Sequence, residues 1–431
     1  MEVVVLILKA YIIFVVLVMS IYTLRHLSFT LNRLRGEQRI YYQDIIDDEL
    51  PTMTVLIPMH NEEVVAAHIL ERVLAVDYPR GKLEVIPIND HSEDKTREII
   101  DSFAAKYSEI KPLHRDGGQR GKPAALNDAL LLASGEVITV FDADYLPPKG
   151  ILRDMAVCFK DPEVGAVMGR VIPENTNKSF LCRLLDLERT GGYQVDQQAR
   201  HNLRLMPQYG GTVGGFRRSI TTELGGFDPG ILTEDTELTY KIFLKGWKVV
   251  YANRVECYEE VPEKWLVRAR QVERWAYGHT QCMYRYIIPL LRSRILTGRE
   301  KFDGLLLLLV YTVPVILMAG ILDSIALFFM GEMNIIDSVL VFLYVSAYNS
   351  YGNFAPFYQI AGAALLDGAV ERILLVPYLF FSFMFNLYYI SKGFVRATLF
   401  GIFRRRKRAE WSKTPRFRPK GQEIRQEASF R

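Results

Sequence analysis

Cysteine is scarce in this chain of 431 residues, and zinc-site spacings are missing. The four cysteines are Cys158, Cys182, Cys257 and Cys282, and no two of them form a Cys-x-x-Cys pair. Structural zinc sites and dithiol redox motifs depend on such close spacing. We therefore expect reduced thiols and no zinc site.

Two glycine-rich nucleotide motifs are also missing. The chain contains neither Gly-x-Gly-x-x-Gly nor Gly-x-x-x-x-Gly-Lys-Ser/Thr. The first motif holds the pyrophosphate of a dinucleotide, and the second holds the phosphates of a nucleoside triphosphate. Their absence disfavours a dinucleotide oxidoreductase and a P-loop NTPase.

The excess of positive charge is small. The chain has 53 Lys and Arg against 49 Asp and Glu, a formal net charge of +4, and part of the excess lies in the basic run at residues 404–408. No basic stripe interleaved with aromatic residues accompanies this run. We therefore expect attraction to a membrane surface and membrane lipids, and no nucleic-acid partner.

Long apolar runs, in contrast, are present at both ends. Residues 3–24 carry one charge, Lys9, and are long enough to cross a bilayer. Arg25, Arg33 and Arg35 follow this run where a signal peptide would have a small-residue cleavage site, so we predict a membrane anchor. The positive-inside rule then places the following segment in the cytoplasm and the N-terminus outside.

The C-terminal third holds three more apolar regions, at residues 304–330, 335–366 and 373–390. Three crossings would leave the basic tail outside, although its charge favours the cytoplasm. Residues 348–356 within the middle region are polar and helix-breaking, which is tolerated at membrane depth only when protein or a cavity shields the backbone. We therefore expect a broken or re-entrant segment there, between two full crossings.

Between these ends, short apolar runs alternate with amphipathic ones. Residues 54–58, 83–88 and 137–141 read as buried strands, each followed or preceded by a helix-like segment. Such alternation predicts an α/β domain with a mostly parallel sheet and helices on both faces.

Polar residues follow each predicted strand. Asn61 and Glu62 follow the first strand, Asp90 ends the second, and Asp142 and Asp144 follow the strand at residues 137–141. In an extended chain, residues i and i+2 point the same way, so the last two carboxylates can face one cation. With Lys122 nearby, this edge suits the two phosphate charges of a nucleotide diphosphate. The alternative is that Asp90 caps a helix and Lys122 is solvated.

Two later segments add polar groups. Residues 225–228 form a Gly-Gly-Phe-Asp turn ahead of an acidic helix start that contains Glu234 and Asp235. Gln271, Arg274 and Trp275 then share one helix face at i, i+3 and i+4. Trp offers a stacking surface for a sugar ring, and Arg offers a fork for pyrophosphate.

These motifs together resemble the family 2 inverting glycosyltransferases. The resemblance lies in Pro58-x-His60-Asn61-Glu62, Asp90, Asp142-Ala143-Asp144, Thr233-Glu234-Asp235 and Gln271-x-x-Arg274-Trp275. It covers residues 50–300 and is strongest to the processive membrane branch of cellulose, chitin, hyaluronan and poly-N-acetylglucosamine synthases. Gln-x-x-Arg-Trp is the most specific element.

The resemblance implies a GT-A fold and a role for each matched residue. Glu62 and Asp90 would contact uridine, Lys122 the pyrophosphate, and Asp142 the nucleotide. Asp144, with Asp142, would bind Mg²⁺ or Mn²⁺. Asp235 would be the general base, and the like charge of Glu234 beside it can raise its pKa. Gln271 and Arg274 would hold the diphosphate, and Trp275 the acceptor sugar.

The same resemblance implies a role for two further segments. The glycine-rich stretch at residues 208–218, with Gly211 and Thr212, stands where synthases place a loop that approaches the acceptor. Trp411, Thr414 and Arg416 are similar, with different spacing, to the gating segment of hyaluronan and chitin synthases. A gating segment has to reach the cytoplasmic site, which agrees with an even number of C-terminal crossings.

The domain plan expected from the sequence has six parts. These are a transmembrane helix at 1–24, a linker at 25–50, a cytoplasmic GT-A domain at 51–262, interfacial amphipathic helices at 263–302, transmembrane helices at 303–402 and a basic cytoplasmic tail at 403–431. The cell membrane is the expected location.

The functional hypothesis favoured by the sequence is a metal-dependent polysaccharide synthase that extends a β-linked polymer from a UDP-sugar and assists its export, with an accessory export subunit as a possible partner. The alternative is a glycolipid synthase that transfers one or a few sugars to diacylglycerol or ceramide. A catalytically inactive scaffold is disfavoured because Asp142, Asp144 and Asp235 are all present.

Overall fold

A computed structural model describes residues 1–40, 46–332 and 354–402. Residues 348–353 of the predicted break lie outside this part of the chain, and Ala355 and Pro356 begin a helix. Trp411, Thr414 and Arg416, the proposed gating residues, also lie outside the described residues, so that expectation stays a prediction.

The centre of the molecule is a seven-stranded sheet in the order β3-β2-β1-β4-β6-β5-β7. The strands are β1 (Met53–Met59), β2 (Leu83–Asp90), β3 (Leu113–Arg115), β4 (Val137–Val140), β5 (Val164–Pro173), β6 (Gly214–Arg217) and β7 (Lys248–Glu259). Every pairing is parallel except the two that β6 makes, with β4 and with β5. The predicted mostly parallel sheet is confirmed.

Helices cover both faces of this sheet. Its helices are α2 (Ala66–Leu74), α3 (Thr96–Ala104), α4 (Lys122–Leu132), α5 (Ile151–Cys158), α6 (Phe180–Thr190), α7 (Gln198–Asn202), α8 (Arg218–Glu223), α9 (Glu234–Leu244) and α10 (Trp265–Arg292), and a π-helical turn, Gly191–Gln197, joins α6 to α7.

The alternation of side chains along β1 separates two cores. Val55 and Ile57 pack on one face with apolar residues of α2, α3 and α5, whereas Leu56 packs on the other face with residues of α4, α9 and α10. Period-2 burial of this kind is what a strand with both faces covered requires.

The remaining helices lie in the apolar regions near the two ends of the described chain. They are α1 (Glu2–Arg35), α11 (Gly298–Leu309), α12 (Val313–Phe329), α13 (Ala355–Leu366) and α14 (Leu379–Ile402). Among the described residues, three stretches are long and apolar enough to cross a membrane: Glu2–Arg35, Gly298–Phe329 and Val370–Gly401. α1 therefore continues past the predicted anchor into the first part of the predicted linker.

Helix α13 is shorter and packs against protein. It has 12 residues, and the buried Gln359 donates to the carbonyl oxygen of Gly191 at 3.1 Å. At 1.5 Å per residue a helix of this length is too short to cross a bilayer. It packs on α1 and on the π-helical turn and so joins the apolar helices to the α/β domain.

Candidate active site

The carboxyl ends of β1, β2 and β4 meet at one edge of the sheet. Glu62 follows β1, Asp90 ends β2, and Asp142 and Asp144 follow β4. β6 runs antiparallel to β4 and pairs Gly214 with Val140, so the loop that precedes β6 arrives at the same edge. This single antiparallel strand brings Gly211 and Thr212 to the aspartates.

Asp90 anchors the start of α4. Its Oδ2 accepts from the backbone N–H of Gly121 at 2.8 Å, and its Oδ1 pairs with Arg115 and, at 2.7 Å, with Nδ1 of His91. Gly121 has φ of 119°, which favours glycine at this helix N-cap. Asp90 thus fixes the loop that presents Lys122, and its contact with uridine stays a prediction.

Lys122 is the positive centre of this edge. Its Nζ lies 2.8 Å from Oδ1 of Asp142, 3.3 Å from Oε1 of Glu234 and 2.9 Å from the carbonyl oxygen of Gly211. Burial alone lowers a lysine pKa, but the carboxylates of Asp142 and Glu234 outweigh it and raise the pKa of Lys122. The ammonium group is therefore charged and ready to bind phosphate oxygens.

The two aspartates after β4 offer oxygen ligands for a divalent cation. The Asp142 side chain is 33% exposed, and its backbone N–H donates to Oγ1 of Thr212 at 3.1 Å, whereas Asp144 is buried. No group of three or more Asp, Glu, His or Cys side chains with metal-site geometry occurs in the described part of the chain. Two carboxylates fit Mg²⁺ or Mn²⁺ when substrate phosphates and water supply the other ligands.

Asp235 lies in the first turn of α9, close to the loop before β6. Its Oδ1 accepts from the N–H of Thr236 at 2.6 Å. Burial, and then the negative charge of Glu234, raise the pKa of Asp235 to about 7, partly opposed by the Thr236 hydrogen bond and by Lys122 and Arg274. A carboxylate with this pKa is suited to take a proton from a hydroxyl near neutral pH.

The Gln-x-x-Arg-Trp segment lies in α10, as the helical spacing predicts. Burial lowers the pKa of Arg274, opposed by the negative charges of Glu234, Asp235 and Asp142, so its guanidinium lies within electrostatic range of these carboxylates. Gln271 instead accepts from Nη1 of Arg268 at 2.9 Å. The segment therefore contributes one cation to the acidic site.

Trp275 already has cationic neighbours. The guanidinium carbons of Arg189 and Arg268 lie 5.4 and 5.3 Å from its ring centroid. Both distances are within the range of cation–π attraction. A sugar that contacts Trp275 would meet these two arginines as well, which the sequence motif does not indicate.

Several site residues were missed by the sequence analysis. His279 stacks on Tyr311 with ring centroids 4.4 Å apart, and its Nε2 lies 3.3 Å from Oγ1 of Thr236, the neighbour of Asp235. Burial lowers the pKa of His279 to about 3, which keeps the ring neutral. The sequence contains one signal for His279: it lies one helical turn after Trp275, on the same face of the helix.

Comparison with known proteins shows the family of this chain. Residues 51–278, more than half of the chain, match the model of the family "Glycosyltransferase like family 2". The chain is 35% identical over 254 residues to the probable glycosyltransferase YdaM of Bacillus subtilis, a match that covers 58% of this chain and 60% of the relative. It is 32% identical over 282 residues to the beta-monoglucosyldiacylglycerol synthase of a Nostoc species, covering 64% of this chain and 58% of the relative.

A solved structure shares the fold. The mannosyltransferase PcManGT from Pyrobaculum calidifontis, in complex with GDP-Man and Mn²⁺, superposes with a TM-score of 0.60 at 22% identity, covering 83% of this chain and 98% of that chain. The fold is therefore GT-A. The chain belongs to glycosyltransferase-like family 2.

Proposed function

We propose that this protein is a membrane-bound glycolipid synthase that transfers a sugar from a nucleotide sugar, a UDP-sugar, to a hydroxyl group of a membrane lipid. The observation that carries the proposal is the position of Gly211 between Lys122 and Asp235. Its carbonyl oxygen lies 2.9 Å from Nζ of Lys122, and a Cβ added to it would lie 3.0 Å from Cβ of Asp235. A phosphate-binding cation and a base with a pKa of about 7 thus lie on the two sides of one short loop.

The proposed reaction is a single inverting displacement. The acceptor hydroxyl oxygen attacks C1 of the donor sugar, and the bond from C1 to the β-phosphate oxygen breaks with its electron pair remaining on the diphosphate. Asp235 takes the hydroxyl proton as the new glycosidic bond forms. Lys122 and Arg274 stabilise the negative charge that develops on the leaving diphosphate.

Asp142 and Asp144 are proposed to hold Mg²⁺ or Mn²⁺, which supplies charge neutralisation for the diphosphate when bound. The Lys122 ammonium occupies Oδ1 of Asp142 at 2.8 Å, so it has to turn from that oxygen toward the phosphates as the donor enters. Glu62 and Asp90 are proposed to contact the uridine, and Gln271 and Trp275 to face the diphosphate and the acceptor. Gly211 and Thr212 form the loop beside the acceptor hydroxyl.

The lipid acceptor is favoured over a growing polymer by two observations. The Nostoc relative is named for a glycolipid product, although the match covers 58% of its length. Three stretches in the described residues can cross a membrane, few for a polymer channel built from one chain. The sequence expectation of polysaccharide extension, with an accessory export subunit, thus gives way to the alternative stated with it.

The proposed arrangement in the membrane keeps the catalytic domain cytoplasmic. Arg25, Arg33 and Arg35 at the end of α1 favour the cytoplasm, and a return through Gly298–Phe329 and Val370–Gly401 leaves the chain after α14 on the same side. Single cysteines introduced as Lys106→Cys and Glu2→Cys test this topology with a thiol reagent that does not cross the membrane. Glu2→Cys should be labelled in intact cells, and Lys106→Cys only after lysis.

The function is tested by radiolabelled transfer. Purified protein in lipid vesicles with Mn²⁺ is given a panel of UDP- and GDP-sugars, and products are separated by organic extraction and by size, alongside Asp235→Asn. A short, lipid-extractable product that is absent with Asp235→Asn supports the glycolipid synthase. Long water-soluble or insoluble chains would instead support the polysaccharide synthase, and donor hydrolysis unchanged by Asp235→Asn would contradict both.

A further inference from the structure

A polar cluster lies where the apolar helix α14 meets the catalytic domain. Glu188 of α6 is its centre: its Oε2 accepts from Nη2 of Arg268 at 2.7 Å, and its Oε1 accepts from Oγ of Ser382 and, at 3.4 Å, from Nδ2 of Asn386. Ser382 and Asn386 are one turn apart on α14, within the apolar stretch Val370–Gly401. Polar side chains in such a stretch are costly and mark functional positions.

Two atoms of this cluster are buried without a hydrogen-bond partner among the described residues. They are the donor Nε of Arg268, a residue that is 8% exposed, and the acceptor Oδ1 of Asn386. Unpaired buried polar atoms are rare in native proteins and cost free energy. A ligand that carries a hydrogen-bond acceptor and a hydroxyl group would satisfy both.

The charges of the cluster indicate which ligands it takes. Arg268 is paired with Glu188, and the neighbouring Arg189 is paired with Glu259 at 2.7 Å. Each guanidinium is thus already neutralised by a carboxylate, so a phosphate or sulfate group would meet Glu188 without a free cation. An uncharged, hydroxyl-bearing group suits this cluster better.

The cluster is connected to the catalytic side of α10. The Arg268 guanidinium lies over the ring of Trp275, and one turn further along the same helix His279 contacts Thr236 beside Asp235. Arg189, which follows Glu188 in α6, connects the two regions a second time, because its guanidinium carbon lies 5.4 Å from the centroid of the same Trp275 ring. A ligand at the cluster therefore lies next to the proposed acceptor site.

We propose that Arg268, Glu188, Ser382 and Asn386 form the binding site for the uncharged headgroup of the lipid acceptor, with its acyl chains in the bilayer beside α14. Arg268 Nε donates to an ester or glycosidic oxygen of the headgroup, and Asn386 Oδ1 accepts from one of its hydroxyls. The acceptor then reaches Asp235 from the membrane side, past Trp275. This inference rests on the proposed glycolipid synthesis.

Two lipids share this chemistry: diacylglycerol, with a glycerol hydroxyl, and a monoglycosyl lipid, with sugar hydroxyls. The experiment uses each of them separately in phosphatidylcholine vesicles. Full-length protein, Ser382→Ala and Asn386→Leu are compared by steady-state kinetics with the acceptor varied at saturating donor, then with the donor varied. Asn386→Leu keeps the side-chain volume and removes the polar atoms.

The expected result is a rise in the acceptor KM of about three- to tenfold for each variant. Asn386→Leu loses one hydrogen bond to the headgroup, and Ser382→Ala loses the hydrogen bond that holds Glu188, and with it Arg268, in place. The donor KM and the slow hydrolysis of donor in vesicles without acceptor stay as in the unmodified protein. Ser382→Thr, which keeps the hydroxyl, restores the acceptor KM. The lipid that shows the effect is the one bound at the cluster.

The matched control is Ser391→Ala, which removes a hydroxyl from the same helix away from Glu188 and leaves the acceptor KM unchanged. Lipid product with an unchanged acceptor KM in Ser382→Ala and Asn386→Leu would overturn the headgroup site alone. A loss of kcat and thermal stability with no change in acceptor KM would assign the cluster a structural role and also overturn it. Unmodified protein that labels polymer and no lipid would overturn the proposed function, and this site with it.

Discussion

The ammonium nitrogen of Lys122 lies 2.8 Å from Oδ1 of Asp142. The pair joins the first residue of α4 to the first carboxylate after β4, two elements that the chain reaches separately. Without a donor, each group neutralises the other and limits the cost of partial burial. In the proposed function the same two groups face a diphosphate and a divalent cation when a nucleotide sugar is bound, so we propose that their pairing marks the donor site.

Lys122→Met is expected to lower kcat/KM for the donor by about 10²- to 10³-fold, because it removes a charge that stabilises the leaving diphosphate. Initial rates with the nucleotide sugar varied give this value. Lys106→Met, an exposed lysine of the same domain, is the control and is expected to leave kcat/KM unchanged. Equal kinetics for the two variants would remove Lys122 from the reaction.

Chelation of divalent cations is expected to abolish transfer, and added Mn²⁺ or Mg²⁺ is expected to restore it. Asp142 and Asp144 are negative themselves, so without a bound cation they do not neutralise the charge of the leaving diphosphate. Asp144→Asn is expected to raise the Mn²⁺ concentration for half-maximal rate by about tenfold or more, since one anionic ligand is lost. A Mn²⁺ titration of the rate measures it. Asp116→Asn, whose side chain is 69% exposed, is the control. Full activity in chelator would contradict the proposed metal role.

Transfer is expected to depend on a single ionisation near neutral pH. Burial and the charge of Glu234 raise the pKa of Asp235 to about 7, so the basic carboxylate form dominates above that pH and disappears below it. The rate kcat/KM should therefore fall about tenfold for each pH unit well below 7. Initial rates across the pH range, at constant ionic strength, measure this limb.

Glu234→Gln tests the cause of that pKa. Loss of the neighbouring negative charge makes the Asp235 carboxylate easier to form, so the acidic limb should move to lower pH. The position of the limb, not the height of the profile, is the readout, because Glu234 also lies 3.3 Å from Lys122 Nζ. Glu223→Gln on α8 is the control. A limb that stays in place would show that burial alone sets the pKa.

Much of this site follows from local sequence rules. Parallel strands end at one edge, so Asp90, Asp142 and Asp144 were expected together, and helical period placed Arg274 and Trp275 on one face. The contact of Lys122 with Glu234 depends on long-range packing that local periodicity does not encode. The same is true of Ser382, a polar residue in an apolar helix, whose partner Glu188 lies far away in sequence.

The antiparallel strand β6 was the least predictable element of the site. It has four residues, two of them glycine, so neither length nor alternation marks it as a strand. It nevertheless pairs with β4 and turns the preceding loop toward Asp235. The role of Gly211 is therefore visible only in the folded protein.

Gly211→Ala tests that role against a matched glycine. Gly211 has φ of 75°, and a Cβ there would lie 3.0 Å from Cβ of Asp235; Gly225 has φ of 73° with nothing within 4 Å of an added Cβ. Both substitutions cost about 1–2 kcal/mol of backbone strain, so thermal unfolding should shift similarly in the two variants. Only Gly211→Ala displaces the base, and its kcat should fall by about 10²-fold while Gly225→Ala keeps normal kcat. Equal kcat in both variants would show that Asp235 does not need its present position against the loop.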